Sequence, residues 1–316
     1  MKVLITDHGF PNVDRERAVI ESAGHELTIA QVKTPDDVAA VAADADALLV
    51  QWATIDRSVI ERLSKCKVIV RYGIGVDNVD LVAAKEHGIP VCNVPDYCID
   101  EVADHSVALG LALGRQLRLI DRRLRGGVWK LTSEGPMLAF REMTFATLGF
   151  GRIARAVLDR ARPFGFRLAA CDPLVPDAAF EAAGVDRVTI DELFAQADIL
   201  SLHAPLTDET HHLVNASRLR TMKPTSLIVN TARGPLIDTH ALADALQSGG
   251  IAGAGIDVFD PEPLETDHPL LKCENAILTS HVAWCSATSI HVLQRKAGEE
   301  VVRGLHGEAL ANQVNR

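Results

Sequence analysis

Short apolar runs alternate along most of this chain with longer stretches in which apolar positions recur every three to four residues. Residues 2–6, 27–32, 47–51, 68–72 and 91–94 are β-branched or otherwise apolar and predict strands. Between them, residues 13–23, 38–43, 57–63 and 81–87 have helical periodicity. This alternation predicts an α/β fold, with a parallel sheet covered by helices on both faces. One long helical pattern then runs from Asp100 and Glu101, acids suited to a helix N-terminus, to a stop at Gly126 and Gly127. From Thr144 the alternation restarts, with strands predicted at 145–149, 168–171, 199–203, 227–230, 255–258 and 277–279, and a last helix at 286–305.

Two blocks of alternation in 316 residues predict two domains. The last helix follows the last strand too closely to form a domain of its own, so it is expected to pack back on the first block. The predicted fold is therefore two Rossmann-like or flavodoxin-like domains, each a parallel sheet flanked by helices, with an active-site cleft between them. Residues 1–99 plus 286–316 form one, discontinuous domain, and residues 100–285 the other. The helix near 100–126 is long enough to bridge the domains or dock a second subunit.

Composition narrows the function. The chain is 47% hydrophobic and 23% charged, as in ordinary globular proteins, and its net charge of −10 offers no basic footprint for nucleic acid or an anionic membrane. The basic run at 115–125 has helical spacing and reads as a solvated helix face. Six dispersed cysteines show no metal-ligand spacing, so no metal is expected. The N-terminus reads as a short strand rather than a signal peptide, and no apolar run is long enough to span a membrane. A cytoplasmic setting is the expectation.

The chemistry begins at Gly149-Phe150-Gly151-Arg152-Ile153-Ala154, which fits G-x-G-x-x-G/A between a predicted strand and a helical stretch at 153–162. The first glycine permits a tight turn, the second lets backbone N–H groups reach a pyrophosphate, and the helix N-terminus adds its positive dipole. About twenty residues on, Asp172 ends the next strand, where a carboxylate accepts the adenosine ribose hydroxyls and repels a 2′-phosphate. The expected cofactor is NAD(H), with Arg152 near its pyrophosphate.

Three polar residues follow strand ends in the second block: Arg233 after Asn230-Thr231-Ala232, Glu262 between Pro261 and Pro263, and His281 after Thr279-Ser280. Ligands gather beyond the carboxyl ends of parallel strands, which would put all three in one crevice. Singly, each has an ordinary explanation: a surface charge, a turn acid, a loop histidine. Together they supply what reduction of a 2-keto acid needs besides a hydride. Arg233 has the planar fork for a carboxylate and a carbonyl oxygen. His281 can protonate the keto acid or deprotonate the hydroxy acid, and Glu262, hydrogen-bonded to the imidazole, would fix its tautomer and favour its charged form.

In this order and spacing, the Gly-x-Gly turn, Asn230-Thr231-Ala232-Arg233-Gly234, the segment 257–263 and the His281 segment resemble the D-isomer-specific 2-hydroxyacid dehydrogenase family. The resemblance covers essentially the whole chain. It implies an NAD-dependent enzyme acting on a small D-2-hydroxy or 2-keto acid, with Arg233, Glu262 and His281 as catalytic residues, 1–99 plus 286–316 as the substrate domain, and 100–285 as the NAD-binding domain. It also implies a homodimer built around the helix after residue 100. Val91-Cys92-Asn93-Val94-Pro95, Glu101-Val102-Ala103-Asp104 and Trp284 are most similar to the C-terminal binding protein branch.

The resemblance further implies that Tyr72, Gly73, Ile74 and Gly75 present backbone amides to the substrate carboxylate and that Trp284 lines the keto-acid pocket. Trp52 and Tyr97 are, apart from the resemblance, further candidates for contact with the substrate side chain. Asp257, with the backbones of Thr231, Ala232 and Ala283, would contact the nicotinamide, while His203 and Pro205 would lie along the cofactor. Ser280 stands where many relatives have proline, and Ala154 where many have glycine. Two other functions use the same scaffold: an NAD-sensing dimeric interaction protein of corepressor type, and phosphite oxidation. Glu262 argues against formate, because formate dehydrogenases of this kind carry glutamine beside the histidine.

Overall fold

The computed structural model describes residues 1–130 and 136–316. In chain order, strands β1 (Lys2–Ile5), β2 (Glu26–Ile29), β3 (Ala47–Val50), β4 (Val68–Arg71) and β5 (Val91–Cys92) alternate with helices α1 (Asp14–Ser22), α2 (Pro35–Ala42), α3 (Arg57–Ile60) and α4 (Leu81–Glu86). Helices α5 (Ile99–Gly114) and α6 (Leu117–Arg125) follow. The second set of strands is β6 (Thr144–Leu148), β7 (Arg167–Cys171), β8 (Asp186–Arg187), β9 (Ile199–Leu202), β10 (Leu227–Asn230), β11 (Gly253–Ile256) and β12 (Ala276–Leu278). Among them lie α7 (Arg152–Ala161), α8 (Asp177–Ala183), α9 (Ile190–Gln196), α10 (Ala216–Leu219) and α11 (Thr239–Gln247), and α12 (Ala287–His306) comes last.

These elements form two units, Met1–Cys98 with Cys285–Arg316, and Ile99–Trp284. The first holds a parallel sheet ordered β2-β1-β3-β4-β5. β3 and the start of β4 are buried on both faces, as helix-covered parallel strands are. Side-chain caps start its helices: Thr34 accepts from the Asp37 amide, Asp56 from Val59 and Asp80 from Ala83. α12 begins at a Ser286/Ser289 capping box and ends at Gly307 in a left-handed conformation. It packs on α1, β3 and β4 at close range, since a Cβ on Gly304 would lie 2.6 Å from Val68 Cβ. Beyond it, Asn315 Oδ1 accepts the Val91 amide, which ties the end of the chain to β5.

The second unit holds a parallel sheet ordered β12-β11-β10-β9-β6-β7-β8. The chain runs outward from β6 through β7 to β8, then returns to β9 on the other flank of β6 and continues outward to β12. The edge between β6 and β9 is thus a topological switch point, where ligands of doubly wound sheets bind.

The single helix expected over 100–126 is two. α5 ends at Gly114, where a Cβ would stand 2.8 Å from the Phe140 ring, and Gln116 takes a left-handed conformation, φ 52° and ψ 31°, that redirects the chain. α5 is apolar and buried along one face, whereas α6 buries none of its residues. The basic run is not a purely solvated face either. Arg118 donates to the carbonyls of Glu274 and Ala276, and Arg122 pairs with the Glu274 carboxylate at 2.6 Å, so α6 is held to the approach to β12.

Candidate active site

Every predicted site residue of the second unit lies at or just beyond the carboxyl end of its sheet, and sheet order sorts them. His281 follows β12, Asp257 and Glu262 follow β11, Thr231 to Arg233 follow β10, and His203 and Pro205 follow β9. Gly149 to Ile153 follow β6, and Asp172 follows β7. The proton-transfer candidates thus stand at one flank and the dinucleotide candidates at the switch point.

His281 Nδ1 donates to Glu262 Oε2 at 2.7 Å, and Glu262 Oε1 accepts the Phe259 amide at 2.9 Å. Both side chains keep about a third of their surface open, 31% for His281 and 35% for Glu262. With Nδ1 committed to the carboxylate, Nε2 is the nitrogen left to exchange a proton. His281 has φ 54°, unusual for a residue with a Cβ, and its surroundings hold it there. Its amide donates to the Asp257 carbonyl at 2.7 Å, and the Trp284 indole N–H donates to its carbonyl at 2.8 Å.

Asp257 is fully buried and organises this loop. Its Oδ1 accepts from Thr279 Oγ1 and the Val282 amide, and its Oδ2 from the Ala283 amide, which fills three of four acceptor positions. Asn230, also fully buried, shapes the arginine loop by accepting the Ala232 amide and donating to the Arg233 carbonyl. Arg233 is half-buried, and its Nη1 donates to the Ala232 carbonyl at 2.6 Å. Gly234 brings the two loops together: a Cβ there would lie 2.0 Å from the Phe259 carbonyl oxygen.

At the switch point, Gly149 has φ 95°, and a Cβ on it would lie 2.9 Å from the His203 carbonyl oxygen. Gly151 caps α7 with no side-chain hydrogen bond, and a Cβ there would meet nothing within 4 Å. Open space before uncapped helical amides suits a pyrophosphate. Phe150 takes another part: its ring is buried against Phe180 at 4.3 Å and its amide donates to Asp172 Oδ2 at 2.9 Å, so it shapes the turn rather than facing a ligand. Asp172 Oδ1 accepts the Leu174 amide, leaving one further acceptor position on each oxygen. The loop after β9 is fixed by Thr210, whose hydroxyl donates to the Pro205 carbonyl. Burial pushes the His203 imidazole down to about 3, and its Nε2 lies 2.8 Å from Ser201 Oγ.

Comparison with known proteins decides what this arrangement belongs to. The model of the D-isomer specific 2-hydroxyacid dehydrogenase NAD binding domain matches residues 107–283. The glyoxylate reductase of Korarchaeum cryptofilum is 37% identical over 277 residues, covering 86% of this chain and 83% of that protein. The chain belongs to the D-isomer-specific 2-hydroxyacid dehydrogenase family. It is an NAD-dependent oxidoreductase. The D-3-phosphoglycerate dehydrogenase of Mycobacterium leprae is also 37% identical, over 302 residues and 95% of this chain, but the chain spans only 57% of that relative. The D-lactate dehydrogenase of Aquifex aeolicus, solved with NAD and lactic acid, superposes with a TM-score of 0.88 at 28% identity, covering 97% of this chain and 96% of that one. These relatives show the family but not the C-terminal binding protein branch within it.

The first unit, taken by itself, revises one expectation about this dehydrogenase. The Tyr72 amide donates to the Val50 carbonyl, its ring is 1% exposed, and its hydroxyl donates to Glu16 at 2.8 Å, so it has no donor to offer a ligand. The Gly73 amide turns back to the Arg71 carbonyl. Ile74 and Gly75 make no such backbone bond among the described residues. Tyr97 is buried, whereas Trp52 is 39% exposed, with Lys33 over its ring at 5.1 Å.

Asn230 and Gly234 were not singled out by sequence reasoning, although both lie inside a motif that was read. Among the described residues no group of three or more His, Cys, Asp or Glu could hold a metal ion, and no helix is long and apolar enough to cross a membrane.

Proposed function

We propose that the chain interconverts a small 2-keto acid and its D-2-hydroxy acid, with His281 as acid and base, Glu262 as its orienting partner and Arg233 as the substrate's cationic clamp. The 2.7 Å bond from His281 Nδ1 to Glu262 carries this reading. In reduction, the Arg233 fork binds the carboxylate and polarises the ketone, and His281 Nε2 gives its proton to the carbonyl oxygen as negative charge develops there. Glu262 stabilises the imidazolium before transfer and holds the ring plane throughout. In oxidation the same nitrogen takes the hydroxyl proton. The nicotinamide, when bound, supplies or accepts the hydride.

For the cofactor, the reading gives the pyrophosphate to Gly151, Arg152 and Ile153 at the start of α7, and the ribose hydroxyls to the two acceptor positions left on Asp172. The remaining acceptor position of Asp257 and the backbones of Thr231, Ala232 and Ala283 would hold the nicotinamide. For the first unit by itself, the amides of Ile74 and Gly75 are the proposed carboxylate donors. Trp284, whose indole N–H already holds the His281 loop, would favour a substrate larger than glyoxylate. We also propose a homodimer through α6, whose Leu117, Ile120 and Leu124 are 56%, 41% and 49% exposed.

The test is NADH consumption against a panel of 2-keto acids, with Arg233→Ala as the paired control. Turnover lost in the variant supports the dehydrogenase assignment of these residues. Tight NADH binding without turnover of any acid would replace it with an NAD-sensing role.

A further inference from the structure

The loops bearing Arg233 and His281 follow strands that are not neighbours, since β11 lies between β10 and β12. Two consecutive residues of α5 reach both. Thr279 Oγ1 lies 2.5 Å from Asp257 Oδ1 and 3.1 Å from His105 Nε2. An ionised carboxylate only accepts, and a hydroxyl has one hydrogen, so Thr279 donates to Asp257 and accepts from His105 Nε2–H. The bonds therefore run one way, from α5 through Thr279, two residues before His281, to the carboxylate that also holds the amides of Val282 and Ala283 just after it. His105 Nε2 is itself 3.8 Å from Asp257 Oδ1.

The same count settles the neighbouring contact. Ser106 Oγ donates to the Val102 carbonyl at 2.7 Å, so at 2.8 Å from Thr231 Oγ1 it must accept. Thr231 lies two residues before Arg233, as Thr279 lies two residues before His281. α5 packs across β10 and β11, which gives both bonds a common rigid base.

We propose that His105 and Ser106 are positioning residues which together set the spacing between the carboxylate-binding arginine and the acid/base histidine. Neither touches substrate in this scheme. A backbone held at φ 54° persists only while its neighbours over-determine it, and misplacement of a reacting group by about an ångström can cost on the order of 10²-fold in rate. The proposal rests on the roles given above to Arg233 and His281.

The test combines steady-state kinetics of the full chain with hydrogen exchange, followed by mass spectrometry, of peptides covering 229–234 and 279–284. His105→Ala should lower kcat about tenfold, leave the Kd for NADH within about twofold, and speed exchange at 279–284. His105→Gln, whose carboxamide N–H can still donate to Thr279, should recover most of both effects with the pH optimum unchanged. Thr279→Val against Thr279→Ser repeats the comparison from the other end of the bond and serves if the alanine variant does not fold. Ser106→Ala should speed exchange at 229–234 instead. Unchanged exchange in the alanine variants, or no recovery with glutamine and serine, would overturn the proposal. If exchange responds and recovers while the wild type reduces no keto acid, the brace stands and the assigned reaction fails.

Discussion

Gly234 meets the carbonyl of Phe259 so closely that no side chain fits between them, and Phe259 is also the residue whose amide holds Glu262. One backbone contact therefore fixes the arginine loop against the glutamate loop. Gly234→Ala must push the two apart. We expect kcat to fall on the order of 10²-fold and the melting temperature to drop, both measured beside wild type. A fully active, equally stable variant would show that the loops tolerate separation.

Glu262→Gln keeps an acceptor for the Phe259 amide but removes the negative charge beside the imidazole. Reduction needs the ring held with Nε2 toward the carbonyl oxygen, so the variant should lower kcat while leaving the Kd for NADH within about twofold. An unchanged kcat would leave Glu262 as a turn residue.

His203 gives the fold an acid-sensitive component. Its pKa is about 3 in the folded state against 6.5 for a free histidine, with burial as the cause. The unfolded chain therefore binds more protons, and the stabilising contribution present above pH 6.5 is lost progressively as the pH falls toward 3. At pH 5.5 the loss is on the order of 1 kcal/mol. His203→Gln should flatten the stability curve between pH 7.5 and 5.5 in urea unfolding. An unaltered slope would place the acid sensitivity elsewhere, with His25 and His268, also lowered by burial, as the next candidates.

Asp172→Ser should narrow the preference for NADH over NADPH by removing the charge that repels a 2′-phosphate. Comparison of kcat/KM for the two cofactors in both proteins is the measurement, and an unchanged ratio would remove Asp172 from the ribose site.

Charging the apolar face of α6, as in Ile120→Lys with Leu124→Lys, should shift the protein to monomer in analytical ultracentrifugation. A wild type that sediments as a monomer would dispose of the dimer directly.

Both sheets and nearly all their strands were legible because fully covered parallel strands read as apolar runs, with boundaries off by at most three residues. β8, two exposed residues long, had no such signal. The break after α5 was hidden because residues 117–124 keep a helical period. Only the left-handed turn at Gln116, imposed by tertiary packing around Gly114, separates the two helices. At the site, residue types that carry charge were readable from strand ends and motif spacing. The supports were not. His105 and Ser106 lie more than a hundred residues from the threonines they hold, and nothing local marks a histidine that donates to a distant hydroxyl.

Asp172 receives the amides of both Phe150 and Leu174, so the acid placed to read the ribose also ties the glycine turn to the end of β7. Cofactor choice and turn geometry are thus vested in one side chain. A lineage moving from NAD to NADP by a single neutral replacement would change the turn along with the charge, since the side chain that repels the phosphate also holds the amides beneath it. Replacements that keep an acceptor for the Phe150 amide should therefore cost the turn least, and variant libraries aimed at cofactor exchange should be scored for stability as well as for cofactor preference.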